Sequence, residues 1–492
     1  MTNRGKSTLR PKLLTAIAWG VLPMLMAGLG LSAVRGEPQS AALDVARFGA
    51  KPDGHTLSTI ALQKAIDACA AQGGGVVRVG PGTYLTGTLF LRSKVTVELD
   101  AGATLLGSTD LADYPHMTPS YPTRMNDDVT QSLIYAERLH QIGLRGKGRI
   151  DGQGAAFRGT NGIMAMPGRP FLIRMIECTD VRIEDLTLQN SAAWMESYIA
   201  CDNLTIRGIH VHNHVNWNND CIDIDSCRNV RIRDVEGSSD DDGLCFKGTS
   251  LRPTQNVVVE NCCFRSYCNS LKFGTDSMGG LLDVRIHNLD LGQPRPGSPP
   301  PLAGRPALGI SGMSWEVVDG GTLRNLVVDG IKIHGTRAPI FLRLADRGRH
   351  LKGKPTPPPG VLRDVTICNV EGEGAGPVGC PIIGLSGHPI ENLTLRNIRL
   401  SFAGGGTTKD TVRRFDEKRK SYPEALIFAP RLPAFGLFCW QVKGLRLENV
   451  QLTTIAADER PEIALEDAAD VTRDGRKIDP AAVKAAPTKE RR

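Results

Sequence analysis

Along the middle of the chain, hydrophobic and polar residues alternate in short runs such as Val181-Arg182-Ile183 and Val230-Arg231-Ile232-Arg233. A period of two, rich in β-branched residues, predicts short strands with one buried face. Each run is introduced by Asn or Asp followed by Val or Leu: Asp180-Val181, Asn203-Leu204, Asn229-Val230, Asn256-Val257, Asp283-Val284, Asn325-Leu326, Asp364-Val365 and Asn392-Leu393. The phrase returns every 23 to 28 residues, with two longer steps of 42 and 39. One unit repeated at a near-fixed period, with loops inserted between copies, defines a solenoid. The recurring LxxLxL of leucine-rich repeats is missing, so the strands point to a parallel β-helix. Its coils would lie about 4.8 Å apart. Inward side chains would stack in apolar columns, and the Asn/Asp would form a ladder, because a side-chain amide bonds the backbone of a tight bend.

A solenoid needs capped ends. Residues 58–72 predict a short capping helix with Leu62, Ile66 and Cys69 on one face, closing at Gly73-Gly74-Gly75. The domain is expected to run from 44 to 469, with 470–492, rich in basic residues, as a flexible tail. Three insertions, 291–307 (Pro-rich), 348–360 (basic and Pro-rich) and 404–424 (Gly-rich, then charged), are expected to border the binding face.

Composition narrows the class. Of 492 residues, 41% are hydrophobic and 23% charged, as in an ordinary globular protein with a sizeable core. The net charge is +7, but residues 1–36 hold five bases and no acid, which leaves +2 for the rest. Basic residues there precede the charge-free stretch 13–33 and then Val34 and Gly36. This is the layout of a secretory signal peptide cleaved near Gly36, with an uncleaved membrane anchor the alternative, since 21 apolar or small residues can span a bilayer. A mature charge near +2 gives no reason to expect nucleic acid, and no later stretch is long and apolar enough to span a membrane. The protein is expected to be secreted or periplasmic and monomeric. Cys178, Cys201 and Cys227 recur at coil spacing and predict a buried thiol column; of the adjacent Cys262 and Cys263, at most one can join it. No zinc-type CxxC pair occurs.

The chemistry concentrates in Trp217–Thr249, WNNDCIDIDSCRNVRIRDVEGSSDDDGLCFKGT. Asp220 and Asp241 are 21 residues apart, close to one coil, which sets them on neighbouring rungs with Asp242 adjacent. In the following strand Leu244 and Phe246 are expected to point inward, and Gly243, Cys245 and Lys247 outward. Clustered carboxylates repel, so at least one pKa rises. A proton donor and an ionised partner then coexist at one pH, which glycosidic cleavage requires.

Asn218-Asn219-Asp220-Cys221-Ile222-Asp223-Ile224-Asp225-Ser226-Cys227 resembles the Asn-x-Asp-Gly-Ile-Asp-Ile-Asp-Ser-Cys of glycoside hydrolase family 28, the polygalacturonase-like, pectin-degrading enzymes. Asp240-Asp241-Asp242 through Lys247, Phe48-Gly49-Ala50-Lys51-Pro52-Asp53-Gly54 and Gly152-Gln153-Gly154 are similar to further family patterns. The resemblance covers about 44–455. It implies an all-β, single-stranded right-handed parallel β-helix and hydrolysis with inversion, without metal or other cofactor. By the same resemblance Asp241 is the general acid, and Asp220 with Asp242 activates the water. Asn218, Lys247 and Asn269 fall at substrate-binding positions.

Two departures stand out. The family's Gly-His-Gly falls on Cys268-Asn269-Ser270, and its Arg-Ile-Lys falls near Gly309–Met313, where neither base occurs. Lys272, Arg343 and Arg347 are the candidate contacts to a different anionic sugar; Lys272 is alternatively an ion-pair partner of Asp223. His210, His212 and His214 alternate with inward residues; His214 is expected to line a sugar subsite, with metal binding by the three the minor alternative. Trp194, Trp217 and Trp315 are candidates for stacking on sugar rings or for the core. The substrate is expected to be a galacturonate-containing pectic chain, with exo action or rhamnogalacturonan preferred over plain homogalacturonan. A Ca²⁺-dependent lyase on the same fold and a non-catalytic carbohydrate-binding solenoid are the alternatives.

Overall fold

The computed structural model describes residues 42–479 except 127, 129, 158–166, 303–306, 412–414 and 429. The expected signal peptide lies outside the described residues, as do residues 480–492.

The repeat phrase folds as a right-handed parallel β-helix. Each coil hydrogen-bonds to the coils above and below in parallel register, as in Val181↔Leu204↔Val230↔Val257↔Val284. The ladder residues Asp180, Asn203, Asn229, Asn256, Asp283, Asn325, Asp364 and Asn392 all hold φ of +55° to +57°. Asn and Asp tolerate this left-handed turn better than other side chains do. Their amides also bond rung to rung: Asn203 donates to Asp180 (2.9 Å), Asn229 to Asn203 (3.0 Å) and Asn256 to Asn229 (2.7 Å). A second ladder, not anticipated, runs through Asn261, Asn288, Asn369, Asn397 and Asn449, with Asn288 donating to Asn261 at 2.7 Å and Asn397 to Asn369 at 2.8 Å.

One sheet matters for chemistry. Its strands are β1 (Phe171–Ile176), β2 (Glu196–Ile199), β3 (Ile222–Asp225), β4 (Leu244–Gly248), β5 (Asn269–Ser277), β6 (Gly309–Val317), β7 (Thr336–Leu344), β8 (Cys380–Ile383) and β9 (Leu437–Lys443). Every neighbouring pair is parallel. Ile222, Leu244, Leu271, Met313 and Ile340 form one inward column, and Ile224, Phe246, Phe273, Trp315 and Leu342 another. Trp315 is thus core, not a sugar platform. Burying such side chains contributes on the order of 1.5–3 kcal/mol each.

The cap is α1 (Thr59–Ala71), which buries Leu62, Ala65, Ile66 and Cys69 against the first coil. The thiol column is present: the Cys201 Sγ donates to the Met175 carbonyl on the rung below, and the Cys227 Sγ to that of Tyr198. None of the twelve cysteines is disulfide-bonded, and Cys262 is buried while Cys263 is partly exposed. At the other end the fold continues past the expected boundary. Val471 is buried, and Thr472–Arg473 pairs with Arg476–Lys477 in an antiparallel hairpin. The first residues of the expected tail therefore close the last coil.

Candidate active site

The turns entering β3 and β4 carry the acids, and the residues around them are committed to holding those turns. Asn219 accepts from the Val215 and Asn216 N–H groups (2.9 and 2.6 Å) and donates to the Ser191 and Ala193 carbonyls (3.0 and 2.8 Å). Asn213 donates to the Asp220 carbonyl at 2.9 Å, and Ser239 Oγ to the Asp241 carbonyl at 2.9 Å. The Cys221 N–H donates to the Asp242 carbonyl (3.0 Å) and the Asp241 N–H to the Asn219 carbonyl (3.2 Å). Continuing the strand register puts Asp220, Asp242, Asn269 and Ser311 in one column, a residue per rung, with Asp241 beside it.

Two lysines buttress this column. Lys247 Nζ lies 3.4 Å from Asp220 Oδ2 and 3.1 Å from Asp223 Oδ1, over the Trp194 ring at 4.3 Å. Lys272 Nζ lies 3.0 Å from Asp242 Oδ2, while Asn269 Nδ2 donates to Asp242 Oδ1 at 2.7 Å. Lys272 thus pairs with Asp242, and Lys247 takes the Asp223 partnership considered for it. Ser311 Oγ donates to Asn269 Oδ1 at 2.6 Å, which fixes that amide.

The electrostatics separate the carboxyls. Burial pushes Asp242 up, but Lys272, Lys247 and the Asn269 amide outweigh it and hold the group at about 2. Burial and then the Asp223 charge push Asp220 well above the usual carboxylate range, against the pull of Lys247. Burial raises Asp223 itself to about 7. A proton-holding side and an ionised side therefore face each other across one rung. Asp220 Oδ1 is buried with no hydrogen-bond partner, whereas Asp241 is the most exposed of the three, at 9%.

Sequence reading missed three neighbours. Arg169, just before β1, is buried, donates to Asn218 Oδ1 at 3.2 Å and is drawn on by the charges of Asp220 and Asp241; burial lowers it to about 10. Glu316, on β6, is buried and raised to about 7 by burial against the pull of Lys272. Tyr422, from the third insertion, interacts electrostatically with Lys272, Asp242 and Glu316. Only the outward parity of Glu316 was readable in advance.

Two expected sugar contacts are placed differently. Arg343 lies on the outer face of β7, but its guanidinium donates to the Gly384 carbonyl (3.5 Å) and the Glu417 carbonyl and lies over Phe428. It anchors the third insertion. Arg347 forms a two-pronged pair with Asp319 and donates to the Thr275 carbonyl at 2.8 Å, fixing a bend. Of the histidines, His210 is exposed. His214 is buried, its Nε2 sharing a 2.8 Å hydrogen bond with Ser238 Oγ, and burial keeps it neutral with a pKa of about 3. Trp194 packs against Phe171 and under Lys247, while Trp217 contributes its carbonyl to Arg169. Among the described residues one grouping brings three possible metal donors within 4.8 Å, Asp241, Asp242 and Cys268. A thiol is a poor partner for Ca²⁺.

The outer face is closed at both ends. Below, Met117 and Tyr121 pack on Tyr135, Ile176, Ile199 and Ala200, and Met125 packs on Phe171 and Trp194. Above, Phe415, Leu426, Ile427 and Phe428 cover Phe341, Ile383, Phe438 and Trp440. Beside the acids, the first insertion meets the wall: Tyr267 Oη donates to the Pro299 carbonyl (2.9 Å) and the Leu302 N–H to Asp240 Oδ1 (3.1 Å). A surface cavity of about 850 Å³ lies elsewhere, along the bend of the second asparagine ladder. Charged residues in that trough pair with one another, as Arg295 with Glu236 (3.2 Å) and Arg399 with Glu371 (3.0 Å).

Fold and site together define a right-handed parallel β-helix with a buttressed carboxyl cluster on one sheet. The model of the glycosyl hydrolases family 28 matches residues 69–266, a region that includes all three acids. The chain is 32% identical over 283 residues to a Vitis vinifera protein named "Probable polygalacturonase", covering 54% of this chain and 57% of the relative. It is 25% identical over 383 residues to an exo-poly-alpha-D-galacturonosidase of Dickeya chrysanthemi, covering 67% and 61%. The chain therefore spans about six tenths of the length of these relatives. The family 28 exopolygalacturonase of Yersinia enterocolitica shares the fold, with a TM-score of 0.67 at 18% identity over 90% of this chain and 80% of that one.

Proposed function

We propose that the protein is an inverting glycoside hydrolase that removes units from the end of a galacturonate-containing pectic polysaccharide or oligosaccharide. The observation that carries this reading is the one-rung juxtaposition of Asp220 and Asp242 with Asp241 beside them. Asp241, the most accessible, protonates the glycosidic oxygen. Asp242, kept ionised by Lys272 and Asn269, deprotonates the attacking water, which Asp220 positions through its unpartnered Oδ1. Inversion needs room between donor and base for the attacking water, usually about 6.5–9.5 Å; the nearest oxygens of Asp241 and Asp242 lie within 4.8 Å of each other, so the inverting outcome rests on the family resemblance and not on this spacing.

End-on attack is supported by the two apolar closures. Between them the polar floor extends over β3 to β6, three rung spacings or about 15 Å. That leaves room for few sugar rings and none for a continuous chain. The names of the Dickeya and grape relatives favour galacturonate in the substrate. Residues 1–36 read as a secretory leader, so the enzyme would meet its substrate outside the cytoplasm, as a monomer; sequencing the N-terminus of the exported protein tests this. No helix among the described residues is long and apolar enough to cross a membrane.

The test is a product analysis on pectin fractions with the purified protein. Saturated products one unit or a short fixed unit long, appearing from the first minutes, are expected. Unsaturated, ultraviolet-absorbing products, or a ladder of long fragments, would overturn the reading.

A further inference from the structure

We infer that Glu316 is a specificity-determining residue, the acceptor of a subsite that receives an uncharged, hydroxyl-rich pyranose beside the scissile bond. The inference rests on the hydrolase reading above and names the ring on the β6 side of the acids. Glu316 is 1% exposed on the outer face of β6. Its Oε1 accepts from Ser314 Oγ at 2.5 Å, while Oε2 has no hydrogen-bond partner. That oxygen leans over Gly274 on β5, where a Cβ would come within 3.0 Å of it. The glycine lets β5 approach the Glu316 side chain this closely.

A buried, unpartnered carboxylate oxygen is costly unless something donates to it. A sugar hydroxyl does so. A galacturonate carboxylate at the same place would meet a second carboxyl group instead of a cation and would bring its charge toward the aspartate column, which is unfavourable. The neighbouring cations do not reverse this: Lys272 is held by Asp242, and Arg343, opposite Glu316 on the next rung, is held by backbone carbonyls and Phe428. Where the family pattern expects two bases, this chain has Ser311 opposite Asn269 and Ser314 opposite Lys272.

The test compares an oligosaccharide alternating galacturonate with rhamnose and an oligogalacturonide of equal length. The wild-type protein is expected to show at least about tenfold higher kcat/KM on the alternating substrate, and Glu316→Gln to shrink that ratio by about tenfold, the size of one hydrogen bond to a charged group. A ratio that favours the oligogalacturonide, or one that Glu316→Gln leaves unchanged, overturns the inference. Calorimetric binding in an Asp241→Asn background separates the two claims. If nothing is hydrolysed but the alternating chain binds in a Glu316-dependent way, the subsite stands and the proposed reaction falls; if neither chain binds, the subsite falls too. Should Glu316→Gln fail to fold, competition on the wild-type protein decides. Free rhamnose is expected to inhibit more strongly than free galacturonate, and the reverse order would refute the subsite.

Discussion

The lower and upper halves of one sheet share a backbone and differ in everything they do. On β3–β6 the outward positions hold Asp223, Asp225, Cys245, Lys247, Lys272, Ser314 and Glu316; on β7–β9 they hold Phe341, Ile383, Phe438 and Trp440, with Arg343 the one charged exception among these, tied to backbone carbonyls. Both faces are buried, the first by its own pairing and flanking walls, the second by the third insertion. The β-helix therefore supplies spacing and direction but no chemistry. Polar outer positions make a site, and apolar ones make a seat for a lid.

The sharpest way to break the comparison is to silence the polar half without disturbing its packing. Asp241→Asn is expected to lower hydrolysis about a thousandfold, the scale of a lost general acid, with an unchanged circular dichroism spectrum. Lys272→Met should cost stability on the order of 3–5 kcal/mol, measured by chemical denaturation near neutral pH, because Asp242 is left as an unpaired buried charge. The sign follows from Asp242's depressed value of about 2. Its stabilising contribution is complete above the ordinary carboxylate range and vanishes as pH falls toward 2, so the penalty of the variant shrinks in acid. Surviving activity should have its acidic limb moved to higher pH.

In the apolar half, Phe428→Ala should cost about 3 kcal/mol and loosen the insertion over Phe341 and Trp440, seen as longer products beside the end-released units. The smallest effect is expected from Asp223→Asn. Asp223, raised to about 7, binds its proton more tightly folded than unfolded. The native state thus loses stability as pH rises from about 4 to 7, and the variant should flatten that decline in thermal melts. Removing this charge also lowers Asp220, so the acidic limb of activity should move to lower pH.

The fold was legible because its cause is local and periodic: one Asn or Asp per coil in a left-handed turn, followed by an alternating strand. The second ladder was less legible, since glycines such as Gly208 and Gly330 interrupt it and it bends strands in mid-run. The acids could be read from a one-coil offset between Asp220 and Asp241. The partners of Arg343 and Arg347 were not legible, because alternation gives the face of a side chain but not what a distant insertion does over that face. Glu316 and Arg169 stayed hidden because single charged residues carry no periodic signal, and Trp315 was undecided until strand parity put it in the lumen.

The proposed reaction has Asp242 deprotonate a water that Asp220 positions while Asp241 protonates the leaving oxygen. Proton nuclear magnetic resonance of the sugar released in the first minutes, before mutarotation, tests it directly. The account predicts a new reducing end with the anomeric configuration opposite to that of the cleaved linkage. A released sugar that keeps the original configuration would contradict it.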